Sequence, residues 1–128
     1  MDRSFDKKRI LIVDDNHELL DILQQGLKNY TLMVAEDGKE AVEQAFTLQP
    51  DLILMDVMMP EMDGPAAIRL IRQNPKTWSI PILAISAGIT TSVPEECARI
   101  GCDDYVAKPF SFMKLRSRIE RLLLLHPR

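Results

Sequence analysis

The sequence predicts a three-layer α/β domain in which five parallel strands alternate with five helices. Short apolar runs bounded by turn residues recur along the chain, and such runs are typical of strands buried inside a parallel sheet. Between them lie segments with apolar residues three and four positions apart, which is the spacing of amphipathic helices. Because 128 residues suffice for a single core, we expect residues 1–128 to form one domain.

The first half of the chain supplies three strands and two helices. The strands are expected at Arg9–Val13, at Thr31–Ala35 and in the run that ends at Asp56. After the first strand, helical periodicity predicts a helix that has Asn16 as its N-cap and stops near Asn29. Asp37 followed by Glu40 resembles a capping box and opens the second helix. The expected apolar side of that helix consists of Ala41, Val42, Ala45, Phe46 and Leu48.

The second half supplies the remaining elements. Its strands are expected at Ile80–Ile85 and Tyr105–Ala107. Pro65 lies just inside the third helix, where its missing N–H does no harm, and Asn74 precedes a proline that stops this helix. Pro94 starts a short fourth helix that Gly101 closes. The last helix has one apolar face, formed by Phe112, Leu115, Ile119 and Leu122.

Composition and charge exclude several classes of function. The net charge of −3 argues against nucleic acid as a direct partner, because phosphate binding needs a basic surface. The chain has no apolar run of membrane-spanning length, and residues 1–9 lack the apolar core of a signal peptide. The two cysteines, Cys97 and Cys102, are too few for a disulfide framework. We therefore expect a cytoplasmic protein without a membrane partner.

Polar residues stand at the C-terminal ends of four predicted strands: Asp14 with Asp15, Asp56, Ser86 and Lys108. In open parallel sheets, ligands bind in the crevice beyond these ends. One lysine cannot neutralise three clustered carboxylates, so we expect a divalent cation as well, and hard oxygen ligands favour Mg²⁺. A carboxylate beside Mg²⁺ and a lysine is equipped to attack a phosphoryl group and form an aspartyl phosphate. Ser86 can donate a hydrogen bond to a phosphoryl oxygen.

Four segments resemble the receiver domain of two-component response regulators: Arg9–Asp15, Leu54–Pro60 with Gly64, Ser86–Ala87, and Gly101–Phe110. The match spans about Arg9 to Leu125, nearly the whole chain. The resemblance implies a flavodoxin-like, doubly wound sheet with the strand order 2-1-3-4-5. It also implies a cis peptide between Lys108 and Pro109.

The resemblance assigns a role to each residue of the acidic set. Asp56 would be the phosphoacceptor, and Lys108 would pair with the phosphoryl group. Asp15 and Asp56 would ligate Mg²⁺ together with the backbone carbonyl of Met58, and Asp14 would hold metal-bound water. The phosphodonor would be a sensor histidine kinase or a histidine phosphotransfer protein.

The resemblance also implies a switch. Ser86 would move towards the phosphoryl group, which the backbone of Ala87 would also contact, and the ring of Tyr105 would turn inwards behind them. Since a phosphoryl group adds about −2 of charge, it would favour the backbone state that brings Ser86 and Lys108 closest. We expect the surface between Pro94 and Leu125 to change, and a downstream protein partner to read it or to take the phosphate onward.

Met58 and Gly88 bear on how long the phosphate would persist, and Met58 also bears on whether the chain is a switch or an enzyme. They occupy the two positions that tune phosphate loss in the family, and neither side chain can orient a water, so we expect slow self-dephosphorylation. A phosphatase would need a second aspartate where Met58 stands, which favours a switch over an enzyme. A nucleotide hydrolase would need a P-loop, which Gly38–Lys39 does not form. The intact acidic set also disfavours an unphosphorylated scaffold.

The end of the chain suggests contacts with partners. Leu122–Leu125 are four consecutive leucines that go round the last helix, so not all of them can face the protein core. We therefore expect either an interface there, such as a homodimer, or a natural chain that continues. Because no output domain follows Leu125, we expect a stand-alone receiver. The default expectations are a solvated face for Lys114, Arg118 and Arg121, a solvated His17, and a half-buried Trp78.

Overall fold

The computed structural model describes residues 7–57, 64–86 and 93–126, and within these ranges strands and helices alternate as predicted. The elements are β1 (Arg9–Val13), α1 (His17–Gly26), β2 (Thr31–Ala35), α2 (Gly38–Leu48), β3 (Leu52–Asp56), α3 (Gly64–Gln73), β4 (Ile82–Ser86), α4 (Val93–Ile100), β5 (Asp104–Ala107) and α5 (Phe112–Leu125). Among the described helices, none is long and apolar enough to cross a membrane.

The five strands form one parallel sheet in the order β2-β1-β3-β4-β5. This confirms the doubly wound, flavodoxin-like order. The chain moves from β1 outwards to β2 and then crosses back to β3, so the direction of winding reverses between β1 and β3. The crevice beyond the carboxyl ends of these two strands is where such sheets bind their ligands.

Each face of the sheet carries its own apolar core. Along β1, Leu11 and Val13 pack on the face covered by α2, α3 and α4, whereas Ile10 and Ile12 pack on the face covered by α1 and α5. Strands β1, β3 and β4 are buried on both faces, which explains why they consist of apolar runs rather than alternating apolar and polar residues, whereas the edge strand β2 is only partly buried. The predicted three-layer arrangement is thereby confirmed.

The predicted helix caps are largely as expected. The side chain of Asn16 accepts a hydrogen bond from the N–H of Leu19 at 3.2 Å, and Asp37 accepts one from Glu40 at 2.8 Å. The carboxylate of Glu40 accepts the N–H of Glu36 at 2.7 Å, one residue before the partner that a standard capping box uses. Gly101 closes α4 at φ +98°, a conformation that favours glycine.

Three element boundaries differ from the prediction. Helix α1 ends at Gly26 rather than near Asn29, because the backbone leaves helical geometry at Leu27 and turns there towards β2. Strand β4 begins at Ile82 rather than Ile80, since the N–H of Ile80 bonds to Thr77 in the preceding turn and the next residue is a proline. Strand β5 begins one residue early, at Asp104.

Several predicted environments are also different. Phe46, expected on the buried side of α2, is 45% exposed, with the ammonium of Lys76 5.2 Å from its ring centroid. Trp78 is 59% exposed rather than half-buried. Arg118 is not solvated like its neighbours on α5, since its guanidinium donates to both carboxylate oxygens of Asp104 at 2.8 and 2.9 Å. Leu124 is 81% exposed whereas Leu122 is buried, so the four final leucines do not share one environment.

Candidate functional site

Asp14 and Asp15 follow β1 directly, and the structure separates their environments. The N–H of Asp14 still bonds to Ala35 of β2 at 3.1 Å, so the sheet pairing continues one residue past the strand. The Asp14 side chain is buried, and one of its oxygens accepts the N–H of Asn16 at 2.9 Å. Asp15 is exposed. The break between strand and loop therefore turns one carboxylate into the protein and the other towards solvent.

Asp56 and Lys108 meet across the sheet. Asp56 is the last residue of β3 and is 5% exposed, while Lys108 directly follows β5. The ammonium of Lys108 lies 2.6 Å from Oδ2 of Asp56 and 4.0 Å from Oδ2 of Asp14. Three of the residues predicted at separate strand ends are thus brought together: two buried carboxylates and one ammonium group.

The electrostatics of Asp14 show that one ammonium does not balance this cluster. Burial raises the pKa of Asp14 to about 6, and the negative charges of Asp56 and Asp15 act in the same direction. The N–H of Asn16 and the charge of Lys108 lower that pKa without offsetting the increase. The charged form of the Asp14 carboxylate is therefore not fully compensated by the nearby ammonium of Lys108.

The donor set fits a magnesium ion. Among the described residues, Oδ2 of Asp14 is buried and accepts no hydrogen bond, so it is a hard oxygen donor whose described neighbour of opposite charge is the Lys108 ammonium at 4.0 Å. No three Asp, Glu, His or Cys side chains in the described part of the chain gather closely enough to hold a metal by themselves. Mg²⁺ suits such a small set of protein ligands, because it keeps several bound waters and uses one or two protein carboxylates.

The structure describes the other predicted site residues only in part. Tyr105 is 5% exposed, and it packs in the core cluster that contains residues of α3 and α4, so its side chain already lies inwards. The backbone of Ser86 ends β4 and pairs with Ala107, but the structure does not describe its side chain. Met58, Ala87 and Gly88 lie outside the described residues. The individual roles of these residues stay predictions.

Sequence reasoning missed a network at the opposite edge of the sheet. The guanidinium of Arg72 donates to the carbonyls of Gly101, Trp78 and Ile80 at 3.1, 2.8 and 2.6 Å, and to Asp103 at 2.7 Å. The same Asp103 oxygen accepts the N–H of Ile82 at 2.8 Å. Arg72 thereby ties α3 to the starts of β4 and β5. The only sequence signal for this role was a basic residue in the last turn of α3.

Comparison with known proteins assigns the family. A profile of the response regulator receiver domain matches residues 10–120. The chain is 36% identical over 118 residues to the alkaline phosphatase synthesis transcriptional regulatory protein PhoP of Bacillus subtilis strain 168. This match covers 91% of the chain and 48% of PhoP, so the chain spans about half the length of that relative. Since PhoP is named a transcriptional regulator, the expectation of no direct contact with nucleic acid stays a prediction.

Solved structures agree with this assignment. The receiver domain of the sensor histidine kinase PA1611 from Pseudomonas aeruginosa PAO1, solved with a magnesium ion in its active site cleft, is 33% identical with a TM-score of 0.83. That match covers 91% of this chain and 98% of the other. The chemotaxis response regulator CheY4 of Vibrio cholerae is 28% identical with a TM-score of 0.81, over 91% of this chain and 99% of CheY4.

The strand order, the paired Asp56 and Lys108 and the match over residues 10–120 agree with one another. The chain therefore belongs to the response regulator receiver domain family of two-component signalling.

Proposed function

We propose that this receiver domain is a phosphorylation-activated switch that accepts a phosphoryl group on Asp56. The observation that carries the proposal is the 2.6 Å contact between the Lys108 ammonium and the Asp56 carboxylate, at the carboxyl edge of the sheet. A buried carboxylate held by a lysine is a positioned nucleophile with a cation beside it, which is what phosphoryl transfer requires. The chain acts as a phosphoacceptor, not as an enzyme that turns over an external substrate.

The transfer step involves one bond formed and one broken. A carboxylate oxygen of Asp56 bonds to phosphorus as the nitrogen–phosphorus bond of a phosphohistidine breaks, and the donor imidazole takes up one proton. Oδ2 of Asp56 is held by Lys108, so that oxygen is oriented before the donor arrives. Lys108 then stabilises the negative charge on the phosphoryl oxygens, and the hydroxyl of Ser86 donates a hydrogen bond to one of them.

Asp14, Asp15, Asp56 and the backbone carbonyl of Met58 would hold Mg²⁺ in this proposal, directly or through bound water. The ion supplies positive charge that offsets the charge on the transferring phosphoryl group. The raised pKa of Asp14 and the absence of a hydrogen bond to its Oδ2 among the described residues support a further cation at this place, beside the ammonium of Lys108. Asp15 is exposed, so an ion can reach this carboxylate from solvent.

The switch would act through the last two strands. Ser86 and Ala107 are paired across β4 and β5, and Lys108 is the next residue. A phosphoryl group that draws Ser86 and Lys108 towards Asp56 therefore pulls on two adjacent strand ends, with the backbone of Ala87 as an additional contact. Tyr105 lies on β5 and packs with residues of α3 and α4, so we propose that it passes this change to the Pro94–Leu125 surface.

The proposed switch needs a protein that donates the phosphoryl group and a protein that responds to it. The donor is a sensor histidine kinase or a histidine phosphotransfer protein, and a downstream protein reads the changed surface or takes the phosphate onward. We also propose that α5 forms a homodimer contact, since Leu124 and Leu125 are 81% and 63% exposed. The low number of cysteines, two in the chain, supports a reducing, cytoplasmic setting.

The test is phosphoryl uptake from a small acyl phosphate or phosphoramidate in the presence of Mg²⁺, followed by mass spectrometry of the intact protein. We expect one phosphoryl adduct on the wild type and none on Asp56→Asn. Chelating the metal should suppress the adduct, because the carboxylates then lack their divalent counter-ion.

Asp21→Asn provides the matched control, since Asp21 is an exposed carboxylate on α1. It should be modified as efficiently as the wild type. An adduct that persists in Asp56→Asn would refute the assignment of the phosphoacceptor. Repeated turnover of other phosphate esters would favour a phosphatase instead.

A further inference from the structure

A groove opens between α2 and α3, beside the acidic crevice, and of its lining residues only Asp15 takes part in the proposed switch. Its volume is about 860 Å³. It starts at Asp15 and runs along the exposed seam between the two helices. Its lining consists of Asp15, Glu36, Asp37, Gly38, Lys39, Val42, Glu43, Ala66, Ala67 and Leu70. We call this surface the α2–α3 groove.

The floor of the α2–α3 groove is apolar and built from small residues. Gly38, Ala66 and Ala67 present little or no side chain, so another backbone can approach the seam closely. Val42 and Leu70 flank this floor, and Leu70 is 55% exposed although it is a large apolar residue. A concave apolar surface of this kind favours a rounded apolar partner, such as the stripe of an amphipathic helix.

An exposed aromatic residue extends the same surface. Phe46 lies one helical turn beyond Val42 on α2 and is 45% exposed. Lys76, in the turn after α3, covers its ring at 5.2 Å, so Phe46 also faces the side of α2 next to α3. From Gly38 to Phe46 the helix rises about 12 Å, which is long enough to contact two turns of a docked helix.

The rim of the groove is acidic. Four of its lining residues are carboxylates, Asp15, Glu36, Asp37 and Glu43, and they face a single lysine, Lys39. The Asp37 carboxylate is engaged in capping α2, and Glu36 lies 3.4 Å from His17 Nε2, but both remain exposed. This arrangement attracts a basic partner and repels an acidic one.

We propose that the α2–α3 groove is a docking site for a partner protein that presents an amphipathic helix with Lys or Arg beside its apolar stripe. The apolar residues of that helix would pack on Leu70, Val42 and Phe46, and its cations would face Glu43 and the acidic rim. This inference goes beyond the proposed switch and does not require phosphorylation. Because the groove begins at Asp15, a docked partner lies beside the acidic crevice.

The experiment is a selection of displayed peptides on the immobilised full chain. The library consists of peptides of about 16 residues, enough for four helical turns, with varied residues at every position. Selection runs in parallel on the wild type and on Leu70→Glu, and peptides enriched only on the wild type are measured by fluorescence anisotropy. Leu70 is exposed, so the variant should fold, which circular dichroism checks.

The expected peptides carry apolar residues at spacings of three and four with basic residues on the flanks. Leu70→Glu should weaken their binding by at least about tenfold, because it places a charge in the contact centre. Glu43→Lys should weaken it about as much and flatten its dependence on ionic strength. Ile22→Glu and Asp21→Lys change matched exposed residues on α1, and each should leave binding within about twofold of wild type.

The other outcomes overturn the proposal. One is the absence of peptides enriched on the wild type over Leu70→Glu. Another is a set of enriched peptides that lack basic residues or that Glu43→Lys does not weaken. Self-association of the chain that Leu70→Glu abolishes, with no peptide enriched, would assign the groove to a second copy. Phosphoryl uptake by Leu70→Glu reports separately on the proposed switch, since Leu70 has no part in it.

Discussion

Lys108 reaches over the end of β4 to place its ammonium 2.6 Å from Oδ2 of Asp56. The two residues are 52 positions apart in the sequence and lie at the carboxyl ends of β5 and β3. The same ammonium is 4.0 Å from Asp14, so one positive charge serves two buried carboxylates. This contact links the stability of the sheet edge to the chemistry proposed for it.

We expect Lys108→Met to affect uptake and stability together. Phosphoryl uptake from a small donor should fall at least about tenfold, because the substitution removes a cation from the transferring group. The free energy of unfolding should fall by about 1–3 kcal/mol, since the variant leaves buried negative charge without this ammonium. Mass spectrometry and urea denaturation measure the two effects. Lys114→Met, on the exposed side of α5, should change neither, and normal uptake by Lys108→Met would contradict its role.

Asp14→Asn should stabilise the metal-free protein above neutral pH. Folding raises the pKa of Asp14 from 3.8 to about 6, so the folded state binds this proton more tightly than the unfolded state. The group therefore favours folding most below pH 3.8, and this contribution is lost as pH rises through about 6. The shift corresponds to about 3 kcal/mol at most, and we expect a gain of about 1–3 kcal/mol for the variant at pH 8.

Urea denaturation in the presence of a chelator, at several pH values, measures this effect. The difference between Asp14→Asn and wild type should shrink towards zero below about pH 4, where both side chains are neutral. Asp21→Asn should show no such trend, because that carboxylate is exposed. A difference that does not change with pH would rule out the buried charge as the cause.

Arg72→Ala should be among the most destabilising substitutions outside the core. It removes a guanidinium that donates to three backbone carbonyls and to Asp103. Losing these four hydrogen bonds, two of which are partly buried, should cost about 2–4 kcal/mol of unfolding free energy. Arg72→Lys should recover only part of it, because an ammonium cannot reproduce the planar fork. Arg69→Ala, an exposed change on the same helix, should stay within about 0.5 kcal/mol, measured by urea denaturation.

Gly26→Ala should destabilise the contact between α1 and α5. A Cβ at this position would overlap the ring of Phe112, which packs directly on the glycine. We expect a loss of about 1–3 kcal/mol despite the better helix propensity of alanine. In Gly26→Ala combined with Phe112→Leu, the two losses should be less than additive, and a double-mutant cycle in urea denaturation measures this. Additive losses would show that the ring is not the obstacle.

The phosphorylated protein should lose its phosphate slowly. Met58 and Gly88 cannot hold an attacking water by a side-chain hydrogen bond, so the aspartyl phosphate should persist for minutes or longer. Met58→Asn should shorten its lifetime, because an amide can orient water. Mass spectra taken over time after removal of the donor measure both, and loss from the wild type within seconds would contradict the expectation.

Much of the fold was predictable because its signals are local. Runs such as Ile10–Val13 are apolar at every position, which strands buried on both faces require. Asn16 and Asp37 cap their helices through hydrogen bonds to residues only three positions away. The order of the strands was predictable only from the resemblance to receiver domains, since apolar runs do not say which strands are neighbours.

Two of the errors share one cause. Phe46 is an apolar residue at helical spacing, yet it is 45% exposed, because periodicity does not reveal how wide a stripe the sheet covers. Arg118 was expected to be solvated, but it pairs with Asp104, which lies on a different element. Both depend on contacts between segments that are distant in the sequence.

By itself, the sequence determined the alternation of strands and helices and the polar residue at the end of each site-forming strand. Apolar periodicity and helix capping involve residues only a few positions apart, so they can be read from the sequence before any tertiary contact is known. Only the tertiary structure decided that Asp14 is buried while Asp15 is exposed, that Lys108 bonds to Asp56, and that Arg72 ties together the far edge. Side-chain direction at a strand end depends on the packing of neighbouring strands, which no local pattern records.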